Sequence, residues 1–295
     1  MNGIKNSKED RIFNAAAYFV LAVFAVMVIY PLYFVVISSF SDPYDVLNGN
    51  VYLIPKGITL EGYRRIIRDS SIWTGYANTI FYTVIGTSLN VALTMMIGYP
   101  LSRGYFSGKK AITTLLLITM YFQGGLIPQY LLVSNLGLRG TRAVMVLLGA
   151  VSVYNVIVAR SFLQANITRE LEDAASIDGC GQLQFFVTMV VPLSKAIIAV
   201  LIMYYGIAHW NDYFRAMIYL NKTEQFPLQL ILRSILIQSQ SLAGSDNIDL
   251  AVESQRMAEQ MKYGVIIVSS VPALLLYPFL MKYFEKGVMI GSVKG

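Results

Sequence analysis

Residues 13–40 read FNAAAYFVLAVFAVMVIYPLYFVVISSF, and the stretch 12–41 around them contains no Asp, Glu, Lys or Arg. A helix that crosses the hydrocarbon core of a bilayer needs about 20 predominantly apolar residues, so this segment is long enough to span a membrane. It is too long for the apolar core of a secretory signal. The sequence therefore predicts a retained membrane-spanning helix, with Pro31 as a kink near its outer end.

Further stretches without an acidic or basic residue follow at 70–102, 111–138, 143–159 and 263–281. Only 14% of the 295 residues are charged and 56% are hydrophobic, whereas a typical soluble domain is about 25% charged. This composition excludes a soluble enzyme and a nucleic-acid binder. It predicts an all-α polytopic membrane protein. We expect its six transmembrane helices at about 13–40, 76–102, 111–133, 143–163, 196–214 and 263–283.

Two local features refine these boundaries. The glycine pair at 124–125 predicts a break within the third span. Residues 179–194 also lack charges, but they contain two Gln, two Gly and Pro192, so we expect an interfacial helix there and not a seventh span. No internal repeat is visible. We therefore expect a single membrane domain over residues 1–295.

The distribution of positive charge sets the expected orientation. Cytoplasmic loops near span ends carry an excess of Lys and Arg. The turn at 109–110, together with Lys282 and Lys286 after the last span, favours a cytoplasmic N-terminus and C-terminus. The basic residues are otherwise scattered, so the net charge of +6 does not indicate nucleic-acid binding. The connections that would face outward are 41–75 and 215–262.

The cytoplasmic connection 164–195 contains ELEDAASIDG at 170–179 and MVVP at 189–192. This resembles the signature of permease subunits of ATP-binding-cassette (ABC) importers: Glu-Ala-Ala, three residues, Gly, nine residues, then Ile-x-Leu-Pro. The spacing matches throughout. The departures from the pattern are Asp173, Met189 and Val191, in place of Glu, Ile and Leu. The resemblance implies the type I ABC importer permease fold, with a short cytoplasmic coupling helix between spans 4 and 5.

The residue types in this motif suit a short helix that another protein can approach. Acidic groups near its start favour the positive end of the helix dipole by about 0.3–1 kcal/mol each, and alanine combines high helix propensity with a small side chain. Gly179 lets the chain leave the helix with a positive φ, and Pro192 breaks the next helix. An ordinary capped loop helix is the alternative. The resemblance assigns coupling to the ATPase to Glu172, Asp173, Ala174, Ala175, Asp178, Gly179 and Pro192.

A second resemblance lies in the tail, residues 284–295, which follows a membrane core of about 76–283. Its ending, GSVKG, is similar to that of carbohydrate-importer permeases, in which the tail reaches into the interface of the ATPase dimer. The segment WNDYF at 210–214 is similar to another part of that family. Together the matches look closest to oligosaccharide permeases of the aldouronate type. The alternative is a disordered tail with Lys286 snorkelling to the headgroups. The expected tail contacts are Lys286, Met289, Gly291 and Lys294.

The resemblance implies an ATP-driven importer that takes up a carbohydrate, in particular an oligosaccharide, by alternating access. The expected partners are a second, homologous permease, an ABC ATPase dimer, an extracytoplasmic solute-binding protein and membrane lipid, but no nucleic acid. The expected location is the cytoplasmic (inner) membrane of a bacterium. No Gly-x4-Gly-Lys-Ser/Thr phosphate-binding loop occurs in the sequence. We therefore expect the partner ATPase to bind ATP and Mg, and this chain to have no cofactor, metal or catalytic activity.

Other interpretations stay open. The chain could be an ABC importer permease for a non-sugar solute, a secondary transporter with ion sites in repeated halves, or a membrane enzyme with a polar catalytic cluster. His209 either anchors the membrane interface or relays protons, and Asp212 either caps a helix or pairs with Arg215. The outward connection 215–262 either meets the binding protein or covers the partner permease. The sequence does not identify the residues that contact the sugar.

Overall fold

The computed structural model describes residues 8–242, 258, 261–272, 274, 275 and 278. In that part of the chain the regular elements are all helical, which confirms the all-α class. The helices in its first part are α1 (Lys8–Ser39), α2 (Pro43–Leu47), α3 (Glu61–Arg68), α4 (Ser70–Ser102), α5 (Lys109–Tyr121), α6 (Leu126–Asn135), α7 (Arg142–Leu147) and α8 (Val153–Asn166). The later elements are α9 (Arg169–Ile177), α10 (Gln182–Phe185), a π-helical turn (Phe186–Val190), α11 (Val191–Leu193), α12 (Lys195–Trp210), α13 (Phe214–Tyr219), a 3-10 turn (Thr223–Gln225), α14 (Leu228–Leu242) and the helix Met261–Pro272.

Two helices, α1 and α4, are individually long and apolar enough to cross a membrane. Two bent pairs pass the same test only when their halves are combined. The break predicted at 124–125 separates α5 from α6, which are bent by 113°. The helical segment Gln182–Leu193 is bent by 80° from α12, with Pro192 just before the bend. By length and composition, the described residues thus contain two helices that could each cross a membrane, or up to four spans if each bent pair is one span, and the number six stays a prediction.

The fourth predicted span is not a continuous helix. Helix α7 ends at Leu147 and α8 begins at Val153, although residues 143–159 carry no charge. Side chains distant in sequence form hydrogen bonds with the backbone of the connection between α7 and α8. Ser152 N–H donates to Tyr205 Oη at 3.1 Å, and the Leu148 carbonyl accepts from Arg215. These bonds replace those of a continuous helix, as a backbone away from water requires.

The later boundaries also differ from the predicted ones. Helix α12 ends at Trp210 and α13 begins at Phe214, so the fifth predicted span of 196–214 is too long. The outward connection expected at 215–262 is folded in its first half, where Tyr219 and Leu228 are fully buried. Of the sixth predicted span, 263–283, the structure describes residues 263–272, 274, 275 and 278, all of them helical.

The chain divides into two compact units. The first consists of the described residues of Met1–Asp69 and Ser234–Ser270. Its helices meet through contacts between aromatic rings: Phe34 and Tyr263 pack edge to face, and Phe40 stacks on Tyr63 with ring centroids 5.3 Å apart. These contacts hold α3 and the helix Met261–Pro272 against the C-terminal half of α1.

The second unit, Ser70–Arg233 and Val271–Gly295, is built around α4. One hydrophobic cluster surrounds the C-terminal half of α4 and includes side chains of α8, α9 and α12; the other surrounds its N-terminal half and includes side chains of α6, α7, α13 and α14. Helix α4 is therefore the central element of this unit. The prediction of a single membrane domain over 1–295 stays a prediction.

Hydrogen bonds join α4 to α12 in antiparallel register. Thr94 Oγ1 lies 2.7 Å from Tyr205 Oη. One turn away, Asn90 Nδ2 lies 3.1 Å from His209 Nε2, and both distances are within hydrogen-bonding range. His209 is only 3% exposed, so it is an interhelical partner and not an interface anchor. Polar side chains that face each other between membrane helices stabilise helix association. This pairing therefore fixes the register of the two helices.

The pairing requires a residue without a side chain at Gly86. A Cβ atom there would lie 2.4 Å from His209 Nε2, well inside contact distance. Since the ring is buried and bonded to Asn90, Gly86→Ala should lower the free energy of unfolding by about 1–3 kcal/mol. The matched control is Gly206→Ala on α12, whose Cβ would meet only Thr87 Oγ1 at 3.9 Å. Thermal unfolding of the purified protein measures both, and equal stability of the two variants would contradict this assignment.

Candidate functional site

Helix α9, Arg169–Ile177, contains the core of the motif that the sequence singles out. It ends as predicted, with Gly179 at φ +76°. Cys180 N–H donates to the Ala175 carbonyl at 2.9 Å, and Gly179 N–H donates to the Ser176 carbonyl at 3.1 Å. This pair of bonds is the Schellman arrangement, in which a left-handed glycine satisfies the last carbonyl groups of a helix. The glycine of the motif thus stops α9 after two and a half turns.

The two faces of α9 differ in burial. Glu172 and Ala175 are buried, whereas Asp173 and Ala174 are exposed. Ile177 lies on the exposed side and is 87% accessible, although isoleucine is among the residues most often buried in proteins. Asp178 is also exposed, at the C-terminal cap. The helix therefore attaches to the rest of the chain by one face and presents the other, which carries an apolar side chain, to its surroundings.

The attached face is held by a buried ion pair. Glu172 Oε2 lies 3.6 Å from Arg103 Nη1, and the two side chains are 8% and 5% exposed. Arg103 also donates to the carbonyl groups of Leu163 and Ile167, each at 3.0 Å. Those carbonyls belong to the C-terminal end of α8, where a cation is favourable. Arg103 directly follows α4, so this one guanidinium connects α4, α8 and α9.

Two tyrosines and a glutamine complete the surroundings of the Glu172 carboxylate. Tyr105 Oη donates to Glu172 Oε1 at 2.5 Å, while Tyr99 Oη and Gln182 Nε2 lie 3.4 Å from the same oxygen. Arg103 stacks over the Tyr99 ring, 5.2 Å from its centroid. Burial is the main cause that raises the pKa of Tyr105 well above its ordinary value, and the hydrogen bond to Glu172 is the next. Tyr105 therefore remains a protonated donor at neutral pH, and the carboxylate is fully partnered.

Of the residues assigned to coupling, the structure places Glu172, Asp173, Ala174 and Ala175 on α9, Asp178 at its C-terminal cap, and Gly179 directly after the cap. Pro192 lies in α11, two residues before Ser194 at the 80° bend. The four tail residues Lys286, Met289, Gly291 and Lys294 lie outside the described residues, so their contacts stay a prediction.

Sequence reasoning missed the partners of Glu172. Arg103 directly follows the charge-free stretch 70–102, and the charge pattern marks it only as the first charge after the second predicted span. A buried charge in a membrane protein needs a partner of opposite charge. An ion pair between Arg103 and Glu172 of the motif could therefore have been considered from the sequence. Nothing in the sequence indicates Tyr99, Tyr105 or Gln182, because their contribution depends on the tertiary fold.

At Asp212 both sequence interpretations hold. Its carboxylate accepts a hydrogen bond from Arg215 N–H at 3.2 Å, which caps the start of α13, and it also pairs with the Arg215 guanidinium. Arg215 reaches the Leu148 carbonyl as well. Asp212 thus has a structural role at the junction of α12 and α13.

The second unit also contains an open groove of about 690 Å³ between α4 and α12. Its lining is mainly Val, Ile and Met side chains, with few hydroxyl groups. Binding a sugar requires several convergent hydrogen-bonding groups, so this lining does not identify a sugar site. Among the described residues, no group of three or more His, Cys, Asp or Glu side chains could hold a metal ion.

Comparison with known proteins gives consistent results. No family model matches the sequence. The chain is 36% identical to the polygalacturonan/rhamnogalacturonan transport system permease protein YtcP of Bacillus subtilis (strain 168), over 97% of this chain and 100% of that protein. It is 34% identical to protein LplC of the same organism, over 98% and 97%. A crystal structure of a bacterial ABC transporter involved in the import of the acidic polysaccharide alginate contains a chain that matches with a TM-score of 0.87 and 31% identity, over 96% and 100%.

The geometry of the Glu172 site leads to a stability prediction. Glu172→Ala would leave the buried Arg103 charge without its counter-charge, and removing one partner of a buried pair costs about 3–5 kcal/mol. Asp173→Ala is the matched control, one residue away, because the Arg169–Asp173 pair is largely exposed and such pairs contribute about 0–1 kcal/mol. Thermal unfolding in detergent measures both. A loss for Asp173→Ala as large as that for Glu172→Ala would contradict the buried-pair interpretation.

Proposed function

This chain belongs to the permease subunits of carbohydrate ABC importers, and from this premise we propose that α9 is the helix on which a separate ATPase subunit acts. The chain itself is a membrane-embedded permease for carbohydrate import by alternating access. The observation that carries the proposal is the asymmetry of α9. Its inner face is fixed to two other helices through Glu172 and Arg103, while its outer face is free for a partner.

The outer face of α9 suits a groove in another protein. Ala174 is small, so a partner can approach the backbone closely, and Ile177 offers an apolar side chain that this helix leaves uncovered. Asp173 and Asp178 flank them with negative charge, which favours basic residues on the partner. Such a surface combines an apolar centre with a charged rim, as protein interfaces commonly do.

The inner face supplies the connection to the membrane helices. A displacement of α9 must either move Arg103 with it or separate two buried opposite charges, and separation is costly. Arg103 is next in sequence to α4 and is bonded to the end of α8. We therefore propose that movement of the ATPase is transmitted through α9 and Arg103 to α4 and α8. An ATPase dimer with two discrete states provides the differential contacts that such a switch requires.

The remaining components of the importer are also proposals. Since the chain has no phosphate-binding loop, ATP and Mg are assigned to the ATPase dimer and not to this chain. A second, homologous permease completes the membrane pathway, and an extracytoplasmic solute-binding protein delivers the sugar. Both termini of this chain are placed in the cytoplasm, where α9 and the tail can meet the ATPase.

We propose that the cargo is an oligosaccharide that contains uronic acids. Two of the similar proteins are named for acidic polysaccharides, polygalacturonan/rhamnogalacturonan for one and alginate for the other. The proposal predicts uptake of a labelled galacturonate oligomer by the assembled importer in preference to a neutral maltodextrin. The opposite preference would contradict this cargo and leave the permease assignment intact.

The docking proposal is tested by copurification of the ATPase with the tagged permease. Ile177→Asp adds a charge to the centre of the outer face, and Gly179→Val places a β-branched residue at positive φ. Each should weaken ATPase binding by about tenfold or more, as substitutions at interface centres do. Arg169→Gln on the flank of the same helix is the control and should retain the ATPase. Normal binding and normal sugar uptake by both α9 variants would contradict the proposal, and a secondary transporter would copurify with no ATPase at all.

A further inference from the structure

The connection after α1 folds back along that helix. Near the helix end, Asp42 N–H donates to the Lys56 carbonyl and Thr59 N–H donates to the Phe40 carbonyl, both at 2.9 Å. Lys56 N–H also donates to Ser41 Oγ at 3.3 Å. These bonds hold the returning part of the connection at the level of residues 40–42. The part before it, residues 51–55, is thereby directed back toward the middle of α1.

Two tyrosines of α1 hold this preceding segment. Tyr33 Oη donates to the Leu53 carbonyl at 2.5 Å, and Tyr30 Oη donates to the Tyr52 carbonyl at 3.4 Å. Tyr30 lies about 13 Å before the C-terminal end of α1 at Ser39, at the helical rise of 1.5 Å per residue. Residues 52 and 53 therefore lie beside the last turns of a membrane-spanning helix and not beyond its end.

The position along α1 corresponds to a membrane boundary. The charge-free part of α1 starts at Ile12, and Tyr30 and Tyr33 lie about 27 and about 32 Å further along the helix. The hydrocarbon core of a bilayer is about 30 Å thick, so both tyrosines reach the level where it meets the headgroups. Tyrosine is enriched at this level in membrane proteins.

The chemistry of the segment also fits that level. Tyr52, Leu53 and Ile54 are between 65% and 73% exposed, in the connection 41–75 that the sequence analysis predicts to face outward. A run of exposed apolar side chains facing water is unfavourable. Non-helical backbone near the hydrocarbon region needs internal partners for its polar groups, and the two tyrosine hydroxyls supply them for two carbonyls.

We propose that residues 52–56 form a lipid anchor at the membrane boundary near the C-terminal end of α1. The apolar side chains enter the acyl region, and Lys56, whose backbone is fixed level with residues 41 and 42, lies on the headgroup side where a cation meets lipid phosphates. The anchor continues the exposed apolar surface of α1, whose most apolar 18-residue stretch has only 6% of its residues buried within this chain. Lipid is the occupant that suits apolar side chains at this depth next to an exposed spanning helix.

Site-directed spin labelling of the assembled transporter in a lipid bilayer tests this proposal. Cys180 is the single cysteine of the chain, so Cys180→Ser gives a background without cysteine. The label is attached at Ile54→Cys, and at Asn48→Cys on the exposed cap of α2 as the control. Collisions with oxygen report contact with acyl chains, and collisions with a water-soluble nickel chelate report contact with water. Leu53→Cys repeats the measurement at a second position of the segment, should the label at 54 disturb folding.

The expected result is that oxygen collisions exceed nickel collisions severalfold at positions 53 and 54, with the reverse at position 48. Tyr33→Phe, which removes the hydroxyl that holds Leu53, should raise nickel access at position 54. Tyr18→Phe, elsewhere on α1, should leave that access unchanged. Low collision rates with both reagents at 53 and 54 would mean that the partner permease or the binding protein covers the segment, and high nickel access would mean water. Either result overturns the lipid anchor.

Discussion

Polar groups that leave water for the interior of a membrane protein must find partners within the protein, and the buried pair of Arg103 and Glu172 depends on this constraint most strongly. Neither charge is accessible to solvent, so each determines where the other must lie. The ion pair joins α9 to the end of α4. Arg103 also donates to carbonyl groups at the end of α8, so the same side chain joins α8 to the other two helices. The same requirement explains the Asn90–His209 pairing between α4 and α12.

The sequence predicted those features that depend on local properties. The length of an apolar run without charges is visible in the sequence, so α1 and α4 were found with small errors at their ends. A glycine that must adopt a positive φ acts within one turn, which is why the end of α9 at Gly179 and the break near 124–125 were both predicted correctly. The family resemblance rested on this local spacing, and the similarity to the permease protein YtcP over its whole length agrees with it.

Features that depend on distant contacts were not predictable in this way. The fourth predicted span is interrupted because Tyr205 and Arg215, more than 50 residues away, bond to its connecting backbone. For His209 the sequence suggested an interface anchor or a proton relay, because it does not show that Asn90 and Gly86 face the ring. The connection after α1 was expected only to face outward, because the sequence does not show that Tyr30 and Tyr33 hold its apolar residues beside the helix. In each case the missing information is which side chains meet in three dimensions.

The central claim is that Glu172 and Arg103 transmit movement between the ATPase and the membrane helices. It is tested most directly by measuring sugar uptake and ATP hydrolysis together, in vesicles that contain equal amounts of folded transporter with wild-type chain or Arg103→Gln. Arg103 lies outside the exposed face of α9, so the account predicts that the variant still binds the ATPase and hydrolyses ATP, while the sugar taken up per ATP falls severalfold. An unchanged ratio of uptake to hydrolysis in that variant would contradict the account.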